Sequence, residues 1–276
     1  MKIYFVTSCK PNHDEKVKTR QVNAIKSWKW LNCDKEIFVF NKNPQITEMC
    51  EELGVTLINE YESSDKSDLP TWRAMRDYAA ELAGDDEYII WVNSDIIFDE
   101  SLLNTLKSIE SQNLKNFILT GKRMPWDDYY DLNDKDMLKD IPFKNTGDVW
   151  EIDYFVFKKI HFLNTPKFYI ARMRFDNYLM QRAIHTEEFT IDCTQTINAI
   201  HHTHGYGNDS KLIWHEYVSN NGNVKEEVDE NQRSCGHGGN IEQCRYITKN
   251  EENSGKRQKQ KINQAKLTVI DKTCNT

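Results

Sequence analysis

The stretch Glu87 to Glu100, EYIIWVNSDIIFDE, constrains this chain more than any other. Tyr88, Ile89, Ile90, Trp91 and Val92 are β-branched or aromatic, with no polar alternation. That pattern suits a strand buried on both faces, as in a parallel sheet. Asn93-Ser94-Asp95 interrupts the run before Ile96, Ile97 and Phe98 resume it. An aspartate set between Val92 and Ile96 is expensive to desolvate unless a cation or several hydrogen-bond donors meet it. Asp95 therefore reads either as an anchor for a cation or as the cap of a turn or helix.

The segments before this stretch alternate strand and helix. Lys2 to Thr7 is a short apolar strand followed by a polar loop, Thr7 to Asn12. Val17, Val22, Ile25 and Trp28 recur at near-helical spacing. Glu36 to Phe40 gives a second strand, and Gln45 to Leu53 a helix bounded by Pro44 and Gly54. Val55 to Ile58 gives a third strand. Trp72, Met75, Tyr78, Ala79 and Leu82 form a helical stripe between Pro70 and Gly84. Four strands alternating with three helices imply βαβ units, a parallel sheet and right-handed crossovers. Ligands of such sheets bind outside the carboxyl ends of the strands. Thr7, Ser8, Asn41 and Asn93-Ser94-Asp95 are thereby placed on one edge, facing one crevice.

The second half is less regular. Ser101 to Ile109 reads as a helix and Phe117 to Gly121 as a strand. Lys122 to Asp140 reads as a long functional loop whose Trp126, Tyr129 and Tyr130 offer ring faces suited to carbohydrate, beside Arg123, Asp127 and Asp128. Ile152 to Phe157 is a strand with Asp153 near its start. Arg172 to Ile184 runs into a helix with Asp176 near its beginning, where the helix dipole and backbone N–H groups are expected to lower its pKa. After the short strand Phe189 to Cys193, three of the eight histidines, His201, His202 and His204, crowd into four positions. Such a cluster suits a metal ion or a phosphate. Residues 211–250 are expected to form a polar extension packing on the core, and 251–276 a flexible tail.

Composition excludes several classes. A net charge of -7 argues against a nucleic-acid binder held by phosphate contacts. No run approaches the length of an integral membrane segment. Seven cysteines, an odd count without CxxC spacing, point to reduced thiols and a cytoplasmic location. Cys235, His237 and Cys244 lack a clear fourth partner for zinc.

The order of these parts resembles a GT-A glycosyltransferase, the nucleotide-sugar-dependent class, and within it the short GT-A domains of bacteria and large DNA viruses. The likeness is carried by Ser27-Trp28 ending the first helix, Asn93-x-Asp95-Ile96 after the fourth strand, Asp153 to Phe157, and His201-x-x-His204-x-Tyr206. It covers residues 1–210. It implies an α/β fold, Rossmann-like, with a mostly parallel central sheet flanked by helices, and transfer of a sugar from a nucleotide-diphosphate donor, a UDP-sugar by preference, to a hydroxyl of a carbohydrate acceptor. The implied reaction inverts the anomeric centre with Mn2+ or Mg2+ as cofactor. Asp95 and His204 would hold the metal. Thr7, Ser8, Asn41, Asn93, Ser94 and Arg123 would bind the donor, and Trp126, Asp127, Asp153 and Tyr154 would line the sugar and acceptor. Asp176 would act as general base, with Asp153 orienting hydroxyls or exchanging roles with it. One departure stands out: Asn93 occupies the first position of the usual D-x-D, so the site brings one charge fewer to a metal. The glycine-rich signature of nucleotidyltransferases is absent from the Thr7 to Asn12 loop. Two other readings fit the same residues: a non-catalytic sugar-nucleotide or carbohydrate-binding module, and a metal-dependent phosphohydrolase using Asp95, Asp153 and the histidines.

Overall fold

The computed structural model describes residues 1–11, 15–63, 68–114, 116–128, 130–142, 147–172, 175–186, 189–203, 229, 231, 233, 238–250 and 267–272. Its elements are β1 (Lys2–Thr7), α1 (Glu15–Trp30), β2 (Asp34–Phe40), α2 (Pro44–Leu53), β3 (Thr56–Ile58), α3 (Trp72–Leu82), β4 (Tyr88–Val92), β5 (Ile96–Phe98), α4 (Ser101–Ser111), β6 (Phe117–Thr120), β7 (Met124–Trp126), β8 (Tyr154–Phe157), α5 (Phe175–Thr186), β9 (Phe189–Asp192), β10 (Ala199–His202), β11 (Tyr246–Asn250) and β12 (Leu267–Asp271). Nine strands form one sheet in the order β12-β11-β9-β6-β8-β4-β1-β2-β3. Most neighbours run parallel; β8 is antiparallel to both β4 and β6, and β12 to β11. The chain thus has the mixed α/β architecture, with a mostly parallel central sheet flanked by helices, that its sequence resemblance implies.

The unbroken apolar character of the strands is explained by two cores, one on each face. Ile3, Phe5, Tyr88, Ile90 and Val92 point into one with α1, α2 and α4. Tyr4, Val6, Ile89 and Trp91 point into the other with α3 and α5. A strand read alternately by two cores has no polar side to show. Each fully buried Ile or Phe of this kind contributes roughly 1.5–3 kcal/mol. Local signals set the helix ends. Asn43 caps α2 by accepting the N–H of Gln45, and Gly54 closes it at φ 60, a left-handed conformation that glycine adopts without strain. Thr71 caps α3 through the N–H of Ala74.

Four features differ from the sequence expectation. The Glu87 to Glu100 stretch is two strands in two sheets, since β5 turns away to join β10 and β7 in a small three-stranded sheet. The long loop after Lys122 contains β7 and a 3₁₀ turn at Lys135–Asp140. The strand after Asp153 runs against its neighbours in the middle of the sheet. Leu267–Asp271, in the segment expected to be flexible, forms β12 and pairs with β11. Among the described residues no helix is long and apolar enough to cross a membrane.

Candidate active site

The direction of sheet winding reverses at β1: β2 and β3 lie to one side of it and β4 to the other. A crevice opens at such a switch point, outside the carboxyl ends of the strands. Here the loop after Thr7 and the turn after Val92 flank that point. The hydroxyls of Thr7 and Ser8 are buried, with no hydrogen-bond partner among the described residues. Asn41 donates to the carbonyl of Cys9 at 2.6 Å and accepts the N–H of Asn43 at 2.7 Å, so it shapes the loop.

Ser27 and Trp28, in the last turn of α1, secure the turn after β4. The Ser27 hydroxyl accepts the N–H of Phe98 at 3.1 Å, and Trp28 Nε1 donates to the carbonyl of Ile96 at 2.9 Å. The Trp28 indole also stacks on Phe5, with centroids 5.4 Å apart. Both residues fix where β5 begins, and hence where Asn93-Ser94-Asp95 sits.

Because β8 is antiparallel, the residue preceding it lies beside the end of β4. Val92 pairs with Tyr154, the N–H of Asn93 donates to the Asp153 carbonyl at 2.9 Å, and Asn93 Nδ2 donates to Asp153 Oδ1 at 2.6 Å. Arg123 completes the cluster. It donates to Asp153 Oδ2 at 3.0 Å and to Glu151 Oε1 at 2.6 Å. Its guanidinium, expected to meet a diphosphate, is therefore engaged by two carboxylates, and Asn93 turns its amide to Asp153. The fork geometry of arginine suits this double role. Arg172 is buried and donates to the carbonyl of Ala171, while Arg174 lies outside the described residues.

Asp176 stands in the first turn of α5, and its Oδ1 accepts the N–H of Asn177 at 2.9 Å. The sequence argument, in which helix dipole and N–H groups lower its pKa, is reversed by its surroundings. Burial pushes the carboxyl up, the Asp153 carboxylate adds to this, and the Asn177 N–H and Arg123 only partly oppose it, leaving it at about 7. Desolvation outweighs the helix terminus because the carboxyl is largely enclosed by protein, although part of the residue still meets solvent. Asp176 is thus electrostatically tied to the Asp153–Arg123 pair, a grouping typical of acid–base sites.

Asp95 Oδ2 lies 3.5 Å from His201 Nε2. His201 opposes Ile96 across the β5–β10 pair, so the small sheet itself brings the two together. Among the described residues no group of three or more His, Cys, Asp or Glu side chains is placed to hold a metal ion. Asp95 and His201 supply two donors; His204, the ligand read from the sequence, lies outside the described residues, as do Tyr129 and Tyr206.

The aromatic residues sort differently from expectation. Trp126 is 1% exposed, paired with His202 across β7–β10, with its ring 4.2 Å from the imidazole; burial lowers the pKa of that imidazole to about 4. Tyr154 is 0% exposed, and its hydroxyl packs so tightly on Gly121 that a Cβ there would stand 2.6 Å away. Neither ring is presented to a ligand in this structure; both belong to the core. Asp127 is exposed. Trp150, which carries no motif, is 50% exposed, in a turn closed by Glu151 N–H to Asp148 at 3.1 Å and Asp148 N–H to Glu151 Oε2 at 2.8 Å. The salt bridge of Glu151 to Arg123 joins this turn to Asp153. Glu151 and Trp150 were legible only as neighbours of Asp153.

No protein-family model and no curated protein matches the sequence. Among solved structures, the chain is similar to residues 1–349 of TarS from S. aureus in complex with UDP-GlcNAc, at 11% identity and a TM-score of 0.41, over 74% of this chain and 56% of that one. It is similar also to 4-diphosphocytidyl-2C-methyl-D-erythritol synthase from Anaerococcus prevotii DSM 20548, at 13% identity and a TM-score of 0.38, over 81% of this chain and 98% of that one. The chain spans little more than half the length of the TarS fragment. These are likenesses of general architecture.

Proposed function

We propose that this chain is a glycosyltransferase that moves a sugar from a nucleotide-diphosphate donor, with UDP-sugars preferred, to a hydroxyl of a carbohydrate acceptor, inverting the anomeric centre. The observation that carries this reading is the joining of Asn93, Asp153, Arg123 and Glu151 at the end of β4, with Asp176 in the first turn of α5 raised to about 7 by burial and by the Asp153 carboxylate. A general base works best with a pKa near the operating pH. Asp176 takes the proton of the acceptor hydroxyl as its oxygen forms a bond to the anomeric carbon and the bond to the diphosphate oxygen breaks. Both oxygens of Asp153 already accept hydrogen bonds from Asn93 and Arg123. Its role is to fix the shape and charge of the site beneath the sugar. Trp150 offers the exposed ring surface on the acceptor side that Trp126 does not. The nucleoside occupies the crevice between the Thr7–Lys10 loop and the Asn93–Asp95 turn. A divalent cation held by Asp95 belongs to this proposal and would neutralise charge on the departing diphosphate; among the described residues Asp95 and His201 supply two donors toward it.

The test is nucleotide release from a panel of UDP-, GDP- and dTDP-sugars with mono- and oligosaccharide acceptors, followed by NMR of the product. Transfer with inversion supports the scheme. Retention of configuration would sink the single displacement, and donor binding with no turnover on any acceptor would leave a binding module in place of the enzyme.

A further inference from the structure

Gln21 lies in α1 with its side chain buried. Its Oε1 accepts the backbone N–H of Lys10 at 2.6 Å, and its Nε2 donates to the carbonyl of the same residue at 3.0 Å. The amide thus pairs with one residue of the β1–α1 loop much as a neighbouring strand would. The same Oε1 accepts the hydroxyl of Ser94 at 3.3 Å. One side chain therefore bridges the segments that follow β1 and β4, the two strands flanking the switch point. On the other side of the loop, Asn41 holds the carbonyl of Cys9. Consecutive peptide groups are fixed from α1 and from the loop after β2, while the hydroxyls of Thr7 and Ser8, just ahead of them, have no partner among the described residues.

We propose that Gln21 is a positioning residue for the nucleotide: it sets the separation between the Thr7–Lys10 loop and the Asn93–Asp95 turn, and so the width of the slot between them. This rests on the reading of that crevice as the donor site. Gln21 acts through Lys10 and Ser94, with no contact of its own to the nucleotide required. Its two bonds to Lys10 need an acceptor and a donor at once, which only an amide or a protonated carboxyl of this length provides. Pre-forming the slot lowers the ordering cost of binding, so its loss appears in affinity and in the donor KM, with kcat at saturating donor retained.

Calorimetric titration with UDP of wild type, Gln21→Glu and Gln21→Met, alongside thermal unfolding, tests this. Gln21→Glu keeps the acceptor and places an oxygen against the Lys10 carbonyl; protonation restores the donor. At this buried position, facing the Lys10 carbonyl, the introduced carboxyl ionises above its ordinary range, so its affinity relative to wild type should be weaker by about tenfold near pH 8 and recover toward parity near pH 5. Gln21→Met, where it folds, should be weak at both. A purely structural glutamine would lower the unfolding temperature and leave UDP affinity of the folded protein unchanged. Folded variants that bind within about twofold of wild type at every pH therefore overturn the proposal. Should Gln21→Met not fold, the pH recovery of Gln21→Glu decides alone. Failure of the wild type to bind UDP, GDP, CMP or dTDP would instead overturn the donor-site reading, and this proposal with it.

Discussion

Replacing Asp176 with asparagine separates what the site needs from what the fold prefers. Burial and the nearby Asp153 carboxylate raise this carboxyl from an ordinary 3.8 to about 7. A carboxyl with a raised folded-state pKa keeps its proton longer when folded than when unfolded. Below 3.8 both states are protonated and nothing is lost; from there to about 7 the unfolded chain ionises first, so stability falls as pH rises; above about 7 the loss is complete. At about 1.36 kcal/mol per tenfold change, the full loss is about 4 kcal/mol. That is an upper limit, since part of the residue meets solvent. Asparagine retains an oxygen for the Asn177 N–H and carries no charge. Urea unfolding across a pH series should show the two proteins alike near pH 4 and the variant more stable by up to about 4 kcal/mol near pH 8. The matching rise in Tm is roughly 8 °C, at ~2 °C per kcal/mol for a chain of this size. Transfer should meanwhile fall by about 10²-fold or more with nucleotide binding retained. A variant no more stable than wild type near pH 8, or a stability gap that ignores pH, would refute the burial argument.

Three further outcomes are expected. The kcat of the wild type should rise with pH up to about 7 and level off above it, following ionisation of the base; a rate that is flat or falls over that interval removes Asp176 from the role. Trp150→Ala should raise the acceptor KM about tenfold and leave UDP affinity within twofold, because on the proposed scheme its exposed ring, in the turn that Glu151 ties to Arg123, meets the acceptor and not the nucleotide; unchanged acceptor kinetics would return Trp150 to ordinary surface. Asp95→Ala should abolish any strengthening of UDP binding by manganese without altering binding in EDTA; equal wild-type affinity with manganese and with EDTA takes the cation out of the proposal.

The parallel half of the fold was legible because its signals are local. Tyr88 to Val92 declares a strand seen by two cores, and Asn43, Pro44 and Gly54 bound a helix by their own backbone chemistry. The edge proposed for the site was read from strand order. What was not legible depends on partners far along the chain. Nothing in Tyr154 to Phe157 states that it runs antiparallel, so Asp153 could be read as a site residue but not as the neighbour of Asn93. Trp126 looks like a loop tryptophan until β10 supplies a strand to pair with it. The pKa of Asp176 was misjudged because a helix start is visible in sequence and the burial around it is not. Gln21 matches no motif at all: its partners include the backbone N–H and carbonyl of Lys10 and a serine hydroxyl, which any sequence contains.

The reversed strand at the centre of the sheet also governs how the protein is made. β1 to β4 lie together in the first third of the chain and can assemble as they leave the ribosome. Their unit then ends in β4, whose Ile89, Ile90 and Trp91 are to be paired with β8. Until Tyr154–Phe157 has been synthesised, that apolar strand presents an unpaired edge, the template on which chains pair with the wrong partner. At roughly 5–20 residues per second the interval lasts several seconds in a cell. Slowing translation between β4 and β8 therefore lengthens the period in which the unpaired edges of nascent chains can meet one another.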